Sequence, residues 1–257
     1  MNLSNAPDGI FRRTPRAPGI GWMMSQHWRS MLLAHWPIAP ELLRALIPPG
    51  LALDTHDGQA WLSLAALTVT RSRLRWLPSL PKVSPFLQLN AYTYVTWNGQ
   101  PAFYLFSADT NSLAATVSGR LLYRLPYSQA EMRCTTDEAH IIEFSSRRVD
   151  NAAPAAFSAA YYPTGPAAAP RPRSLEHWLL ARRWFYVQDH QQRLYRAAVH
   201  CPSVQLRAAE AAILENTLML RHSLVLSDPP VLTSFVPSLP IQVGRPGQVQ
   251  TRAPSSS

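Results

Sequence analysis

The chain has 257 residues, of which 47% are hydrophobic, which is enough for one large core and too many for a disordered protein. It has no uninterrupted apolar run of about 18 residues, so we predict no membrane span and no membrane partner. The formal net charge of +9 comes from scattered arginines without a basic helix or an RNA-binding signature, which argues against nucleic-acid binding.

The ends of the chain and its two cysteines indicate a single domain in a reducing compartment. Residues 1–20 predict a flexible basic leader without an apolar signal region, and residues 245–257 predict a disordered tail. We therefore expect one domain over residues 21–244. Cys134 and Cys201 do not form a disulfide framework, and we interpret them as reduced thiols of a cytoplasmic protein.

Residues 35–61 contain the clearest local signals. A helix is predicted to begin at Pro40, whose fixed φ suits a first helical turn, and to stop at Pro48-Pro49-Gly50. Asp57-Gly58 is a strong hairpin-turn signal before a strand at Ala60–Arg71. That strand is apolar on both faces, as expected for a strand buried between two layers.

The middle of the chain predicts a hairpin followed by a helix. Strands at Ala91–Trp97 and Gln100–Ser107 flank Asn98-Gly99, a strong type I′ turn signal. Thr110-Asn111-Ser112 offers side-chain caps for a helix that is predicted to run to about Tyr123. Its apolar face is predicted to consist of Leu113, Val117 and Leu121.

The rest of the chain predicts more strands than helices. The further predicted elements are strands at Glu131–Thr135, His140–Arg147 and Phe157–Tyr162, a surface loop at Pro163–Arg173, a helix at Leu175–Arg183, a hairpin of Trp184–Gln188 with Arg193–His200, and a helix at Arg207–Thr217. The sum is a strand-rich α+β fold, with an antiparallel, barrel-like sheet and three or four packed helices.

An ordered series of motifs between residues 28 and 228 resembles the YqjF-like family of uncharacterised bacterial proteins. The series consists of His35-Trp36-Pro37, Pro48-Pro49-Gly50-Leu51, Asp54-Thr55, Asp57-Gly58, Ala60-Trp61, Leu89-Asn90, Thr93-Tyr94-Val95, Asp109, Leu125-Pro126-Tyr127, Ser146-Arg147-Arg148, Ser174-Leu175-Glu176-His177-Trp178, Leu194-Tyr195-Arg196, His200 and Glu215-Asn216-Thr217. The resemblance implies an acetoacetate-decarboxylase-like fold that encloses a cavity. Decarboxylases of that fold form a Schiff base on a lysine.

The chain departs from the family pattern at three positions that bear on a site. Gln88, Tyr92 and Ala181 stand where relatives tend to have glutamate, arginine and glutamate, so we expect an altered site. Lys82 is the only lysine, and it lies in a proline-rich connection that is typical of an exposed loop. Decarboxylation through a lysine Schiff base is therefore disfavoured.

Seven polar or aromatic residues are candidates for a site. We expect Asn90, Arg147 and Arg182 to bind a ligand, because arginines hold carboxylate or carbonyl oxygens, together with Tyr92 and Tyr94 on one strand face. Asp109 and His200 are the candidates for proton transfer. No metal-ligand spacing is present, so neither a metal nor a cofactor is predicted.

Two hypotheses about function follow. The first is that the protein binds a small organic carboxylate or carbonyl compound in the barrel cavity. The alternative is a non-catalytic structural or interaction protein whose core is filled by its own aromatic side chains. The motifs favour neither an enzyme nor a binding protein.

Overall fold

The computed structural model describes residues 21–76, 84–149, 155–226 and 228–250. Its strands are β1 (Trp22–Ile38), β2 (Ala52–Leu53), β3 (Ala60–Leu74), β4 (Phe86–Trp97), β5 (Gln100–Thr110), β6 (Tyr127–Thr136), β7 (Ile142–Arg148), β8 (Ala156–Ala168), β9 (Trp184–Gln188), β10 (Leu194–His200), β11 (Leu206–Asn216), β12 (Leu232–Gly244) and β13 (Gly247–Gln248). Its helices are α1 (Pro40–Arg44), α2 (Leu113–Tyr123), α3 (Leu175–Leu180) and a 3-10 turn at Leu220–His222.

The described strands form a single sheet that closes on itself. Their order is β13-β10-β9-β5-β6-β7-β8-β11-β12-β1-β3-β4-β2, and the sheet closes because β4 also pairs with β5 and β10 with β12. All neighbours are antiparallel except β5 with β6 and β5 with β9. The predicted strand-rich, barrel-like α+β fold is therefore confirmed.

Strands β1 and β3 separate two hydrophobic cores. Leu32 belongs to one core and the adjacent Leu33 to the other, because successive side chains of a strand point to opposite faces. In β3 every residue from Ala60 to Leu67 is buried. The predicted strand at 60–71 is therefore confirmed. Both of its faces are apolar because each face packs against a hydrophobic core.

The predicted helix at Arg207–Thr217 is wrong, because this segment forms strand β11. Its main chain pairs with β8 from Leu206 to Asn216, and its side chains alternate between more and less exposed positions. Alanine and glutamate favour a helix only weakly, and pairing along a whole neighbouring strand outweighs that preference.

Helix α2 is present as predicted, but its predicted apolar face is wrong. Leu113, Val117 and Leu121 point to solvent, and the buried residues are Ala115, Thr116, Gly119 and Tyr123. The cause is close packing on β6: a Cβ added to Gly119 would lie 2.3 Å from the ring of Tyr127. Three of the four buried residues, Ala115, Thr116 and Gly119, are therefore small, and Leu113, Val117 and Leu121 stay outside.

The structure differs from the sequence prediction at three other element boundaries. Helix α3 ends at Leu180 rather than Arg183, and β8 extends to Ala168 into the predicted loop. Gly247–Gln248 pair with β10, so residues of the predicted tail join the sheet. The predicted leader and Lys82 lie outside the described residues. In the described part of the chain no helix is long and apolar enough to cross a membrane.

Candidate functional site

A cavity of about 160 Å³ lies in the core that contains Leu33. Side chains from β1, β4, β5, β9 and β12 line it, and the connection between α2 and β6 covers one side. Most of the lining is apolar. The lining residues that carry polar groups are Gln26, Trp28, Gln88, Asn90, Tyr92, Tyr123, Tyr127, Arg182 and Cys201.

One wall of the cavity carries a chain of hydrogen bonds between side chains of β4 and β6. The hydroxyl of Tyr127 donates to Oε1 of Gln88 over 2.8 Å, and Nε2 of Gln88 donates to Oδ1 of Asn90 over 2.9 Å. Gln88 and Asn90 are neighbours on one face of β4, which allows this contact. Among the described residues, no group accepts a hydrogen bond from Nδ2 of Asn90, so this amide remains a free donor.

A second amide lies on β1. Gln26 accepts a hydrogen bond from the indole of Trp28 over 2.9 Å and donates to the hydroxyl of Ser72 over 3.3 Å. Gln26 and Trp28 are both cavity residues and share one face of the strand. The side-chain amide of Gln26 is therefore held in place by contacts within the protein.

Arg182 is the charged residue of the cavity. It follows α3, is 3% exposed, and its Nη1 donates to Oδ2 of Asp54 over 2.6 Å. Its guanidinium carbon lies 4.3 Å from the ring centre of Trp178 and 5.3 Å from that of Tyr94. Nε and Nη2 are buried and find no hydrogen-bond partner in the described structure. Burial lowers the pKa of Arg182, and Asp54 opposes that effect.

Behind Arg182 lies a buried trio of His35, Ser63 and Tyr94. The hydroxyl of Ser63 lies 2.6 Å from Nδ1 of His35 and 2.6 Å from the hydroxyl of Tyr94. Burial lowers the pKa of His35 to about 3 and raises that of Tyr94 well above its usual range. His35 is therefore neutral at physiological pH, and the trio supports the tyrosine face over which Arg182 lies.

The structure brings three of the sequence candidates to the cavity, namely Asn90, Tyr92 and Arg182. Tyr94 is fully buried next to Arg182 without being one of the residues that line the cavity. The other three candidates, Asp109, Arg147 and His200, do not line it either.

Those three candidates have other surroundings. Asp109 forms a buried ion pair with Arg148, whose Nε and Nη2 lie 2.9 and 2.8 Å from Oδ1. The side chain of Arg147 is 68% exposed, and its Nη2 lies 3.3 Å from Oε2 of Glu215. His200 is exposed at the end of β10. The expected proton-transfer pair is therefore not assembled at the cavity.

Sequence reasoning missed Gln26, Tyr123 and Tyr127 as cavity residues. Tyr127 stands in the Leu125-Pro126-Tyr127 motif, and that motif was the available signal for it. Gln26 and Trp28 are two positions apart, which places both polar groups on one face of a strand, and this was a weaker signal for a cavity wall. Burial raises the pKa of the Cys201 thiol, which also lines the cavity, so this cysteine is not activated. In the described ranges no cluster of side chains could hold a metal ion.

The chain is similar in sequence to a curated bacterial protein. It is 38% identical to the uncharacterized protein YqjF of Bacillus subtilis over 230 residues, which is 89% of each chain. Its fold is similar to those of solved structures of much lower identity. Acetoacetate decarboxylase from Legionella pneumophila matches with a TM-score of 0.61 at 12% identity, covering 97% of this chain and 98% of that one.

Two further solved structures share the fold. An acetoacetate decarboxylase-like enzyme from Sphingomonas wittichii matches with a TM-score of 0.62 at 14% identity over 90% of this chain and 94% of that one. The enduracididine biosynthesis enzyme MppR complexed with pyruvate matches with a TM-score of 0.58 at 11% identity over 93% and 95%. These likenesses confirm the predicted acetoacetate-decarboxylase-like fold.

A family model of uncharacterized conserved proteins, DUF2071, matches residues 25–239. This match and the identity to YqjF agree with the family that the ordered motifs indicated. The chain therefore belongs to the DUF2071 family, as its YqjF-like motifs predict.

Proposed function

We propose that the protein binds a ring-sized, mostly apolar organic molecule that carries a carboxylate or carbonyl oxygen, and that it does so in the 160 Å³ cavity. The observation that carries this proposal is the pair of buried N–H groups on Arg182 that have no partner among the described residues. A buried donor without an acceptor costs about 1–3 kcal/mol, so a ligand oxygen that accepts from it gains affinity.

The geometry of Arg182 matches a carboxylate. Its Nη1 is occupied by Asp54, whereas Nε and Nη2 form one edge of the planar guanidinium with two nearly parallel N–H bonds. Such an edge binds the two oxygens of a carboxylate in a bidentate manner, or one carbonyl oxygen between them. The rings of Trp178 and Tyr94 hold the guanidinium plane in place for this contact.

The other free polar groups of the cavity are also donors. Nδ2 of Asn90 has an unused N–H, and the buried hydroxyl of Tyr123 has no partner in the described structure. A ligand that supplies acceptor oxygens to these groups and apolar surface elsewhere fits the lining. The volume is comparable with that of the engineered apolar cavity of about 150 Å³ that takes up benzene in another protein.

We propose binding rather than catalysis. None of the described residues that line the cavity is Lys, His, Asp or Glu, the usual groups for proton transfer and Schiff-base formation. A solved relative of the same fold, MppR, is complexed with pyruvate, which carries both a carboxylate and a carbonyl group. That likeness in ligand chemistry supports the proposal. A cavity of this size does not favour the alternative of an aromatic-filled core.

Calorimetric titration with phenyl carboxylates from benzoate to 4-phenylbutyrate tests the proposal. We expect binding of at least one of them and about a tenfold or greater loss of affinity in Arg182→Gln, because charge-assisted bidentate contacts are worth about 1.5–3 kcal/mol. The control is Arg147→Gln, which removes an exposed guanidinium away from the cavity. Acetophenone, which has a carbonyl only, distinguishes carbonyl from carboxylate recognition. If no compound of the series binds, or if Arg182→Gln binds equally well, the proposal is wrong.

A further inference from the structure

Helix α2 presents an apolar stripe to solvent. Leu113, Val117 and Leu121 recur every four residues and are 69%, 48% and 64% exposed, and Leu122 beside them is 40% exposed. Residues at this spacing lie along one side of a helix. A surface helix normally directs such a stripe to the core, so an exposed stripe marks a surface that contacts something else.

The stripe borders the ends of two neighbouring strands. Met24 of β1, Leu74 of β3 and Leu122 of α2 line one small pocket of about 30 Å³ between these elements. Just beyond Leu74 lies Trp76, which is 78% exposed. The start of β1 lies beside the end of β3, because the backbone N–H of Arg75 donates to the carbonyl oxygen of Met23.

This surface is positively charged. Arg120 and Arg124 are exposed on or just after α2. Arg73 and Arg75 alternate with the pocket residues Ser72 and Leu74, so they lie on the other face of β3, 5.0 and 5.6 Å from the ring centre of Trp22. The stretches 21–38, 60–76 and 111–127 contain no aspartate or glutamate. Two such surfaces would repel each other, so a second copy of the chain is a poor occupant.

We infer that this surface docks onto an anionic lipid bilayer. A stripe of leucine and valine with an exposed tryptophan and arginines nearby, and without acidic residues, is the combination that binds the interface of such a membrane. The expectation that no membrane is involved was based on the absence of an apolar span, and docking on a membrane surface does not require such a span. The inference does not rest on the proposed ligand.

The docked surface adjoins the cavity. The small pocket below α2 and the 160 Å³ cavity share Met24, Gln26, Tyr123, Leu125 and Tyr127 as lining residues. Docking would therefore place the cavity next to the headgroup region. Amphipathic molecules, which combine apolar surface with a polar group, concentrate in that region, so this position suits the loading of the cavity.

Vesicle flotation with the full-length protein tests the inference. The probes are vesicles of phosphatidylcholine alone and vesicles of phosphatidylcholine with phosphatidylglycerol. We expect binding to the anionic vesicles, weaker binding as salt is added, and little binding to the neutral ones. The combined variant Leu113→Ser, Val117→Ser and Leu121→Ser should lower the affinity by about tenfold or more, because it removes the apolar contact.

A matched control introduces serine at exposed apolar residues outside the α2 surface. Leu214→Ser with Val231→Ser removes two side chains that are 72% and 67% exposed outside this surface, and we expect unchanged vesicle binding. Circular dichroism melting verifies that both variants are folded. Absence of wild-type flotation with anionic vesicles overturns the inference, and so does equal binding by the α2 variant. A wild-type dimer that the α2 variant converts to a monomer, without vesicle binding, would assign the surface to a second copy instead.

Discussion

Arg182 and Asp54 form an ion pair of 2.6 Å between Nη1 and Oδ2, although 128 positions separate them in the chain. The pair joins the second residue after α3 to the connection that follows β2. The side chain of Arg182 is 2% exposed and that of Asp54 is 19% exposed, so the contact is largely shielded from water. It orients the guanidinium whose other edge we assign to the ligand.

We expect Asp54→Asn to destabilise the protein, because it leaves the buried charge of Arg182 without its anion. Removing one partner of a buried pair costs about 3–5 kcal/mol, and the partial exposure of Asp54 places this case at about 2–3 kcal/mol. Urea unfolding measures the change. Asp57→Asn, three positions along the chain and with a side chain that is 90% exposed, should leave the free energy of unfolding unchanged. Equal losses of unfolding free energy in both variants would show that the ion pair does not stabilise the fold.

We expect Tyr127→Phe to lower the free energy of unfolding by about 1 kcal/mol, because it removes the donor to Gln88. The same substitution should weaken phenyl carboxylate binding, since the amide of Asn90 is held through Gln88. Tyr123→Phe is the matched control for stability only, because the hydroxyl of Tyr123 is one of the donors that we assign to the ligand. Its hydroxyl is buried and has no partner within the described structure, so its loss should cost nothing or stabilise the fold. Thermal melting of the two variants tests the contrast in stability, and the opposite ranking would contradict it. Calorimetric titration of Tyr127→Phe against the wild type tests the effect on binding.

The neighbours Arg147 and Arg148 provide a second matched contrast. Arg148→Met leaves Asp109 buried without its guanidinium, and we expect a loss of about 3 kcal/mol or more. Arg147→Met removes an exposed ion pair with Glu215 and should cost about 0.5 kcal/mol or less. Chemical unfolding of both variants measures the difference. If the two losses are similar, the buried pair does not stabilise the fold as its geometry predicts.

We expect a pH-dependent contribution to stability from His35. Its pKa is lowered to about 3 in the folded protein, whereas the unfolded chain titrates at the usual value of 6.5. Between these values the unfolded state binds one proton more, so the contribution is fully present above pH 6.5 and is lost as the pH falls toward 3. The slope is about 1.4 kcal/mol per pH unit within that window.

The variant His35→Asn isolates this contribution from that of the carboxylates. The difference in free energy of unfolding between wild type and variant should decrease as the pH is lowered from neutral to about 4.5. His27→Asn is the control, because this histidine lies outside the buried trio and its ring contacts Ser238 at the surface. A difference that stays constant with pH would mean that His35 is not held neutral in the fold.

Turns and hairpins were predictable because their signals are local. Asp57 and Asn98 adopt positive φ angles of 52° and 50°, and the glycines after them have φ angles of 77° and 72°, as a two-residue hairpin turn requires. The ordered family motifs likewise depend only on the order of residues along the chain. They predicted the family and, through it, the fold.

The candidate site was only partly predictable. Asn90 and Tyr92 could be assigned to one strand from local alternation, and Arg182 was named because arginines hold carboxylate or carbonyl oxygens. Asp109, Arg147 and His200 also lie beside apolar strands, but the side from which each strand meets the cavity depends on the closure of the sheet. No local pattern contains that information.

The sequence by itself determined the family, the strand-rich class and the positions of the tight turns, because backbone preferences at glycine, proline and asparagine act within a few residues. Only the tertiary structure decided that residues 206–216 form a strand and that α2 turns its small side chains inward. It also decided that Arg182 meets Asp54 beside the cavity. These outcomes depend on packing between segments far apart in the chain, and such contacts outweigh local propensities of a few tenths of a kcal/mol per residue.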